Sequence, residues 1–330
     1  MKKLSILFFS LFFISINSQE NIKYQKPSKE ILDLVEFERP PSILYDEKKD
    51  FMLFLFRDNY KSIAELSAKE LRLGGLRIDP KTNIGSRVTY YNNVKIRNLK
   101  NQKSQITQVK GLPKNPKLSN ISWSPDQKRI ALTNTTETGV ELWVLELENG
   151  QVTKLTEPNL NSNIGSVINW FSDSENMLVK MISNNRRTLI DTNKIVPDGP
   201  TISTNFGEKA QNRTYQDLLK NKFDEHNFEQ LSTSTIYKVS IDGSVKKWMD
   251  DGMYRTISFS PNGEYVMISQ IKKPFSYLVT YSRFPTETNI YTKDGDFVSN
   301  LLNVPLIEEL PKGFMSVRTG KRSFNWRPDK

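Results

Sequence analysis

The clearest pattern in the chain is a short phrase in which a tight polar turn joins two predicted strands. In its first full copy, residues 121–133, Pro125 restricts φ and Asp126 is placed to hydrogen-bond the backbone beyond the turn. Ile130 and Leu132 then alternate with polar neighbours at a period of two, which is typical of a half-buried strand. Further copies of the phrase begin at Ile168, Ile257 and Phe324. This recurrence predicts a repeated β fold.

Two more predicted strands complete the unit. Residues 140–147 form an apolar run, Asn149 and Gly150 predict a turn, and residues 151–155 predict an outer strand. Four strands within about 45 residues are typical of one blade of a β-propeller. The same order returns at residues 236–243 and 289–295. The sequence therefore predicts an all-β fold of four-stranded antiparallel blades.

The spacing of the units predicts two insertions. Trp170 and Gly243 are more than twice as far apart in the chain as Trp123 and Gly150. The larger insertion, roughly residues 184–231, predicts a helix that Thr214 caps. That helix would carry a shared apolar face of Tyr215, Leu218, Leu219 and Phe223. The smaller insertion is residues 274–285, and insertions in propellers often lie on the binding face.

The chain before the first full phrase predicts a degenerate blade. Residues 28–35 predict a short helix with Ser28 as its cap, and residues 51–56 predict a buried strand. Residues 67–70 fit a capping box. Gly74 and Gly75 predict a bulge or a close approach of two backbones, and residues 90–99 again have the pattern of a strand. The last copy of the phrase supplies only the opening turn of another blade. We therefore expect a truncated propeller, because an open stack leaves strand edges bare.

Residues 1–18 predict a secretory signal peptide. Lys2 and Lys3 precede an apolar run, and Ser18 offers a cleavage point before Gln19. The run is too short to favour a membrane span, and no later stretch predicts one. The chain contains no cysteine, which excludes disulfides and thiol catalysis. These features predict a periplasmic or secreted protein.

The formal net charge of +10 does not by itself indicate a nucleic-acid site. The basic residues are scattered between acidic ones rather than gathered into a stripe, which favours a solvated surface. No Gly-x-Ser-x-Gly motif occurs, and His226 is the single histidine. We interpret His226 as a surface or capping residue and the adjacent Glu308 and Glu309 as a solvated turn. No catalytic residue, metal ligand or cofactor is therefore predicted.

The smaller insertion carries the most specific candidate for binding. Phe275, Tyr277, Val279 and Tyr281 predict one side of a strand, and Arg283 follows them. One interpretation is an aromatic wall with a cation that holds an acidic substrate group, so that Arg283, Tyr277 and Tyr281 bind substrate. The other interpretation, which we favour, is packing between blades with one ion-paired arginine.

Several segments outside the repeats resemble the glutamyl endopeptidases of the prolyl oligopeptidase family, which are serine peptidases of bacteria and chloroplasts. The blade phrase itself resembles propellers of periplasmic binding proteins and of prolyl-oligopeptidase-type enzymes. The more specific segments are residues 29–35, 62–66, 71–78, 213–219, 274–279 and 281–285. The resemblance extends from about Tyr24 to Lys330, which is the whole predicted mature chain.

This resemblance implies a two-domain peptidase that cleaves after glutamate. An N-terminal propeller would cover a C-terminal α/β-hydrolase domain with a Ser-Asp-His triad, and would restrict the access of peptide substrates. No hydrolase domain is found in this chain, so residues 19–330 are expected to form an incomplete propeller domain that is inactive alone. The alternative is a non-enzymatic periplasmic propeller that binds a protein partner, and an open solenoid scaffold is a third possibility.

Overall fold

The computed structural model describes residues 25–101, 103–191, 194–195, 199, 207, 214–309 and 316–327. The chain divides into two units, residues 1–39 and 40–330. The first unit contains helix α1 (Lys29–Val35); Ser28 occupies its N-cap position as predicted, but the Ser28 side chain makes no capping hydrogen bond. The predicted signal peptide, residues 1–18, lies outside the described residues.

The second unit is built mainly from antiparallel strands. The described strands are β1 (Ser42–Tyr45), β2 (Phe51–Phe56), β3 (Leu71–Leu73), β4 (Leu76–Asp79), β5 (Ile84–Gly85), β6 (Asn93–Asn98), β7 (Thr107–Gln108), β8 (Leu118–Trp123), β9 (Arg129–Thr135), β10 (Val140–Glu146), β11 (Gln151–Lys154), β12 (Ile168–Trp170), β13 (Asn176–Ile182), β14 (Ser234–Ser240), β15 (Val245–Phe259), β16 (Tyr265–Ile271), β17 (Thr286–Thr292) and β18 (Phe297–Val304). Two short helices, α2 (Ile63–Leu66) and α3 (Lys222–Ser232), lie between them.

The strands form four consecutive blades. The first blade has the order β1-β2-β6-β7, and the second has the order β11-β10-β9-β8. The next sheet runs from β12 to β18 because β15 belongs to two blades. Residues 245–252 of β15 pair with β14 and close the third blade, whereas residues 253–259 pair with β16 and open the fourth. The predicted propeller of four-stranded antiparallel blades is thus confirmed.

Apolar side chains of neighbouring blades meet to form the core. Leu53 and Ile96 of the first blade pack with Leu118 and Leu132 of the second. Equivalent apolar clusters join the second blade to the third and the third to the fourth. The alternation of apolar and polar residues places one face of each strand in these clusters, which explains why the pattern recurs with every blade.

The repeated phrase makes a hydrogen bond to the preceding blade in two of its copies. The indole Nε1 of Trp170 donates a hydrogen bond to the carbonyl of Ser122, at 3.2 Å, on the preceding blade. Trp326, in the last copy of the phrase, donates in the same way to the carbonyl of Ser258, at 3.3 Å. Trp170 therefore docks on the second blade, and Trp326 docks on the fourth blade.

Three long connections share one position within their blades. Each joins the second strand of a blade to the third: residues 57–92 in the first blade, 183–233 in the third and 272–285 in the fourth. The second blade has a short turn, residues 136–139, at this position. Connections of this kind leave each antiparallel blade at the same end, so the three insertions can meet there.

The first insertion corrects one sequence prediction. The capping box is formed by Ser62 and Glu65 at the start of α2, not by residues 67–70, and Ser67 instead ends that helix. The Ser62 hydroxyl accepts from the Glu65 amide at 3.2 Å, and the Glu65 carboxylate accepts from the Ser62 amide at 3.0 Å. Both sites fit the same Ser-x-x-Glu pattern, and the local pattern could not distinguish them.

Gly165, between β11 and β12, allows a close backbone contact with the fourth blade. Its φ is +60°, and a Cβ there would lie 2.1 Å from the carbonyl oxygen of Arg255. We expect Gly165→Ala to lower the free energy of unfolding by about 2 to 4 kcal/mol, through overpacking and backbone strain.

Gly243 supplies the matched control for this prediction. Its φ is +87°, but a Cβ there would have no neighbour within 4 Å. Gly243→Ala should therefore cost only the backbone strain, about 1 kcal/mol. Urea denaturation of both variants measures the difference, and equal losses would contradict the close contact at Gly165.

Candidate functional site

The three insertions pack together into an apolar cluster, which we call the insertion core. Its fully buried centre is Phe228 of α3, whose ring lies 5.1 Å from that of Phe275 and 5.5 Å from that of Phe284. Each insertion contributes to the cluster, whose buried members are Leu73, Ile78, Ile164, Leu219, Phe228, Leu231, Met253, Ile271, Val279 and Phe284. The insertions thus form one body instead of three separate loops.

The Gly74–Gly75 turn joins the first insertion to the other two. The Gly75 amide donates to the carbonyl of Asp217 at 2.8 Å, and the Tyr281 amide donates to the carbonyl of Gly74 at 2.7 Å. A Cβ on Gly75 would lie 2.7 Å from Thr280 Cγ2. The close approach predicted for this glycine pair is confirmed.

An ion pair adds to the same junction. Arg77 Nε of β4 lies 2.5 Å from Asp217 Oδ2, and both side chains are largely buried. A partly buried pair of this kind orients the two segments that carry it, because removing either partner leaves a charge without compensation. The first and second insertions are therefore held together by charge as well as by apolar packing.

The helix in the second insertion begins later than predicted. Helix α3 starts at Lys222, and the side chain of Asn221 accepts hydrogen bonds from the amides of Phe223 and Asp224. Thr214 does not cap a helix, because the chain at Asp217 adopts φ +58°, which ends any right-handed turn there. Tyr215 and Leu219 nevertheless pack on the insertion core, so their predicted burial was right and their predicted helix was wrong.

The aromatic strand predicted for the smaller insertion is also wrong. Residues 272–280 contain no strand, and Tyr281–Arg283 form a turn of 3₁₀ helix. The hydroxyl of Tyr277 donates to Glu225 Oε1 at 2.5 Å, whereas Tyr281 packs on the insertion core. Arg283 ends the same 3₁₀ turn, and its guanidinium lies 5.5 Å from the ring centre of Tyr215. Of the three predicted substrate-binding residues, only Arg283 lines the cavity described below.

The environment of Tyr277 makes it a poor candidate for proton transfer. Partial burial and the hydrogen bond to Glu225 raise the pKa of Tyr277 to about 12. The phenol therefore stays protonated at neutral pH and serves as a hydrogen-bond donor between the second and third insertions.

Arg283 does line a cavity, together with three arginines that the sequence did not single out. The cavity has a volume of about 490 Å³ and is bordered by Arg255, Ser282, Arg283, Phe284, Thr286, Val304, Ile307, Ser316, Val317, Arg318, Arg322 and Ser323. We call it the arginine cavity. No carboxylate is among these lining residues, and none of the four guanidinium groups forms an ion pair within the described part of the chain.

Backbone carbonyls hold three of these arginines instead. Arg255 Nη1 donates to the carbonyl of Ser282 at 3.2 Å, and Arg322 Nη1 donates to the carbonyl of Arg318 at 2.9 Å. Arg318 donates to the carbonyls of Thr319 and Lys321. Carbonyl partners orient a guanidinium but leave its charge uncompensated. The sequence favoured an ion pair for Arg283. In the structure Arg283 instead lines a cavity with three other arginines.

A second, larger cavity has a different electrostatic character. It measures about 900 Å³ and lies between the first insertion and the second blade. Four of its five basic residues lie within ion-pairing distance of a carboxylate, including Lys81 with Glu137 at 3.3 Å and Arg87 with Glu70 at 3.6 Å. Because charges of both signs line it, this cavity offers no comparable preference for an anion.

The remaining titratable candidates have local partners. His226 is half-buried, and its Nε2 lies 3.0 Å from the carbonyl oxygen of Thr188. Glu308 and Glu309 are exposed, and Glu308 accepts a hydrogen bond from Ser276 at 2.5 Å. Within the described ranges, no group of three or more acidic or histidine side chains is arranged to hold a metal ion. No helix in those ranges is long and apolar enough to cross a membrane.

The four blades and the clusters between them define the class of the domain as a β-propeller. No family model matches the chain. Two curated plant proteins, both named "Probable glutamyl endopeptidase, chloroplastic", are similar to it. The protein from Oryza sativa subsp. japonica is 34% identical over 93% of this chain, and that from Arabidopsis thaliana is 32% identical over 93%. The predicted resemblance to a propeller part of the glutamyl endopeptidases is confirmed.

The chain spans about a third of the length of these relatives, 34% and 33% respectively. Among solved structures, the acylaminoacyl peptidase of Pyrococcus horikoshii aligns with 81% of this chain and 33% of its own, at 14% identity and a TM-score of 0.42. Prolyl oligopeptidase B of Galerina marginata aligns with 80% of this chain and 27% of its own, at 11% identity and a TM-score of 0.38.

Proposed function

We propose that this chain is the propeller part of an exported serine endopeptidase that cleaves peptides after glutamate. The similarity to two proteins named as glutamyl endopeptidases, over 93% of the chain, carries this proposal. The catalytic domain would be an α/β-hydrolase domain of the same full-length protein. The single histidine, His226, has its Nε2 against the carbonyl of Thr188, and no serine or carboxylate partner for it is found among the described residues.

The role proposed for the propeller is to control which substrates reach that catalytic domain. The insertion core supports this role, because it joins three connections at one end of the blades into a continuous packed body. A rigid cover of this kind would admit flexible peptides and exclude folded proteins, since a folded substrate cannot thread past packed side chains. The predicted signal at residues 1–18 supports export, with cleavage before Gln19.

The test is to purify the gene product as its host makes it and to assay peptides that differ only at the cleaved residue. We expect turnover of a fluorogenic glutamyl peptide to exceed that of the matching glutaminyl peptide by at least about 100-fold, as a charge-specific pocket provides. A fluorophosphonate probe should label the full-length product but not the 330-residue chain alone.

Two further readouts of the same preparation address gating and export. A glutamate-rich short peptide should be cleaved much faster than the same segment within a folded protein, and the mature protein should begin at Gln19. Absence of glutamyl cleavage would refute the proposed peptidase. Equal cleavage of the flexible and folded substrates would refute the gating role, and a mature product that begins at Met1 would refute export.

A further inference from the structure

We propose that the arginine cavity binds the carboxylate groups of an acidic peptide. That the ligand is a peptide rests on the proposed function. That the ligand is negatively charged rests on the geometry of the cavity. Four arginine residues line one space of about 490 Å³, and no acidic residue lines it among the residues that the structure describes. Like charges gathered in a concave site repel one another, and a bound anion relieves that repulsion.

The contrast with two ion-paired arginines of the same chain supports this choice. Arg77 and Arg129 each have a carboxylate partner, Asp217 and Glu146 respectively, within the ion-pairing distance. The arginines of the cavity have carbonyl partners or an aromatic ring instead. A protein surface usually disperses uncompensated charge, so a cluster that retains four positive charges indicates a site for an anion.

The guanidinium groups retain donors for a ligand. Arginine has five N–H donors, and Arg255 and Arg322 each use one of them in the hydrogen bonds described above. Arg283 lies 5.5 Å from the ring centre of Tyr215, and a cation–π contact of this kind uses none of the N–H donors along the edge of the guanidinium. That edge matches the two oxygens of a carboxylate, so each arginine can form a paired hydrogen bond.

Three separate segments bring the arginines together, and packed neighbours hold two of them in place. Arg255 belongs to β15 and follows the buried Tyr254. Arg283 ends the 3₁₀ turn beside the buried Phe284, and its carbonyl accepts from the Ile307 amide at 3.1 Å. Sites supported in this way are pre-organised, which reduces the entropy cost of binding.

The apolar part of the lining favours a peptide over a small inorganic anion. Phe284, Val304, Ile307 and Val317 border the same space as the arginines. A glutamate side chain combines an aliphatic stem with a carboxylate, and so complements both parts of the lining. The volume also falls within the range of about 300 to 1,000 Å³ that is typical of ligand pockets.

The direct test measures binding to the full chain without any cleavage. A fluorescein-labelled peptide of alternating glutamate and glycine is titrated in an anisotropy assay, beside the same peptide with glutamine in place of glutamate. We expect the glutamate peptide to bind at least about tenfold more tightly, because charge-assisted hydrogen bonds to guanidinium are lost with glutamine. Equal affinity for the two peptides would overturn the proposal.

Variants then place the binding site. Arg283→Gln and Arg322→Gln should each weaken binding of the glutamate peptide by at least about tenfold. The matched control is Arg97→Gln, because Arg97 lies on the first blade and also donates to a carbonyl, that of Ser104 at 3.0 Å. Thermal melts identify any variant that fails to fold. Because Arg322 is exposed, Arg322→Gln should have the melting temperature of the wild type. Weaker binding by this variant therefore cannot be attributed to unfolding. If Arg97→Gln weakens binding as much as the cavity variants do, the arginine cavity is not the binding site.

Competitors separate the acidic peptide from other anions. Inorganic phosphate at millimolar concentration and a single-stranded oligonucleotide are added to the preformed peptide complex. Displacement only by excess unlabelled glutamate peptide supports the proposal, whereas tighter binding of phosphate or of the oligonucleotide overturns it.

If the full-length product cleaves glutamyl peptides but the arginine cavity binds no glutamate peptide, the cavity proposal alone is refuted. Peptide binding without cleavage would refute the peptidase alone.

Discussion

Replacement of Phe228 by alanine is expected to lower the free energy of unfolding by about 3 to 5 kcal/mol and to separate the three insertions. Phe228 is fully buried, and its ring contacts those of Phe275 and Phe284 from another insertion. Removal of a buried phenyl ring costs the transfer free energy of the ring and the energy of the cavity that remains. No polar contact compensates, because the site is lined by apolar side chains.

Urea denaturation measures the loss, and limited proteolysis locates it. We expect new cleavage between residues 183 and 285, because connections that lose their packing open locally. Phe297→Ala is the matched control, since Phe297 is 61% exposed on β18 and its removal should cost less than about 1 kcal/mol. A Phe228→Ala protein as stable and as protease-resistant as the control would show that the insertion core is not a cooperative unit.

Replacement of Lys180 by methionine is expected to raise stability by about 2 to 4 kcal/mol at pH 7. Lys180 lies on β13 with only 2% of its surface exposed, and its ammonium donates to the carbonyl of Ile164. No carboxylate pairs with it among the described residues. Burial therefore lowers the pKa of Lys180 to about 7. Methionine fills a similar volume and carries no charge, although it leaves the Ile164 carbonyl without this donor.

The pH dependence provides a second readout with a defined sign. The folded state holds the Lys180 proton less tightly than the unfolded state, in which the pKa is about 10.4. Between pH 7 and 10 the unfolded state binds more protons, so the wild-type protein should gain stability from this group as the pH rises. Below pH 7 both states are protonated and the full penalty is present. The Lys180→Met protein should lack this gain.

Denaturation at pH 7 and at pH 9.5 measures both effects. Lys246→Met is the matched control, because it makes the same substitution at a lysine that is exposed to solvent on β15. It should change the stability at either pH by less than about 0.5 kcal/mol. If Lys180→Met behaved like this control, the ammonium would not be a significant cost to folding.

The repeat pattern predicted the strands because each of them depends on local alternation. The phrase at residues 121–133 became β8, a tight turn and β9, and the apolar run at residues 51–56 became β2. Predictions in the insertions were less accurate, since short signals there compete. Two Ser-x-x-Glu sites fitted a capping box equally well, and only Ser62 forms one.

The arginine cavity illustrates why part of the site could not be predicted. Arg283 was visible as a cation beside an aromatic segment, and Arg318 and Arg322 were visible only as basic residues near the end of the sequence. Arg255 lies on a strand and has no distinguishing neighbours in the chain. Their convergence depends on how the fourth blade, its insertion and the segment after β18 fold around one space.

The sequence by itself determined the β class, the number of strands in a blade and the positions of the insertions in the third and fourth blades. These properties follow from the period of apolar residues and from turn residues, which act over a few positions. The tertiary structure decided where α3 begins, that the predicted aromatic strand is a 3₁₀ turn, and that four arginines share a cavity. Those outcomes depend on packing between segments distant in sequence, because a left-handed residue such as Asp217 and a buried ring such as Phe228 are stabilised only by contacts across the insertions.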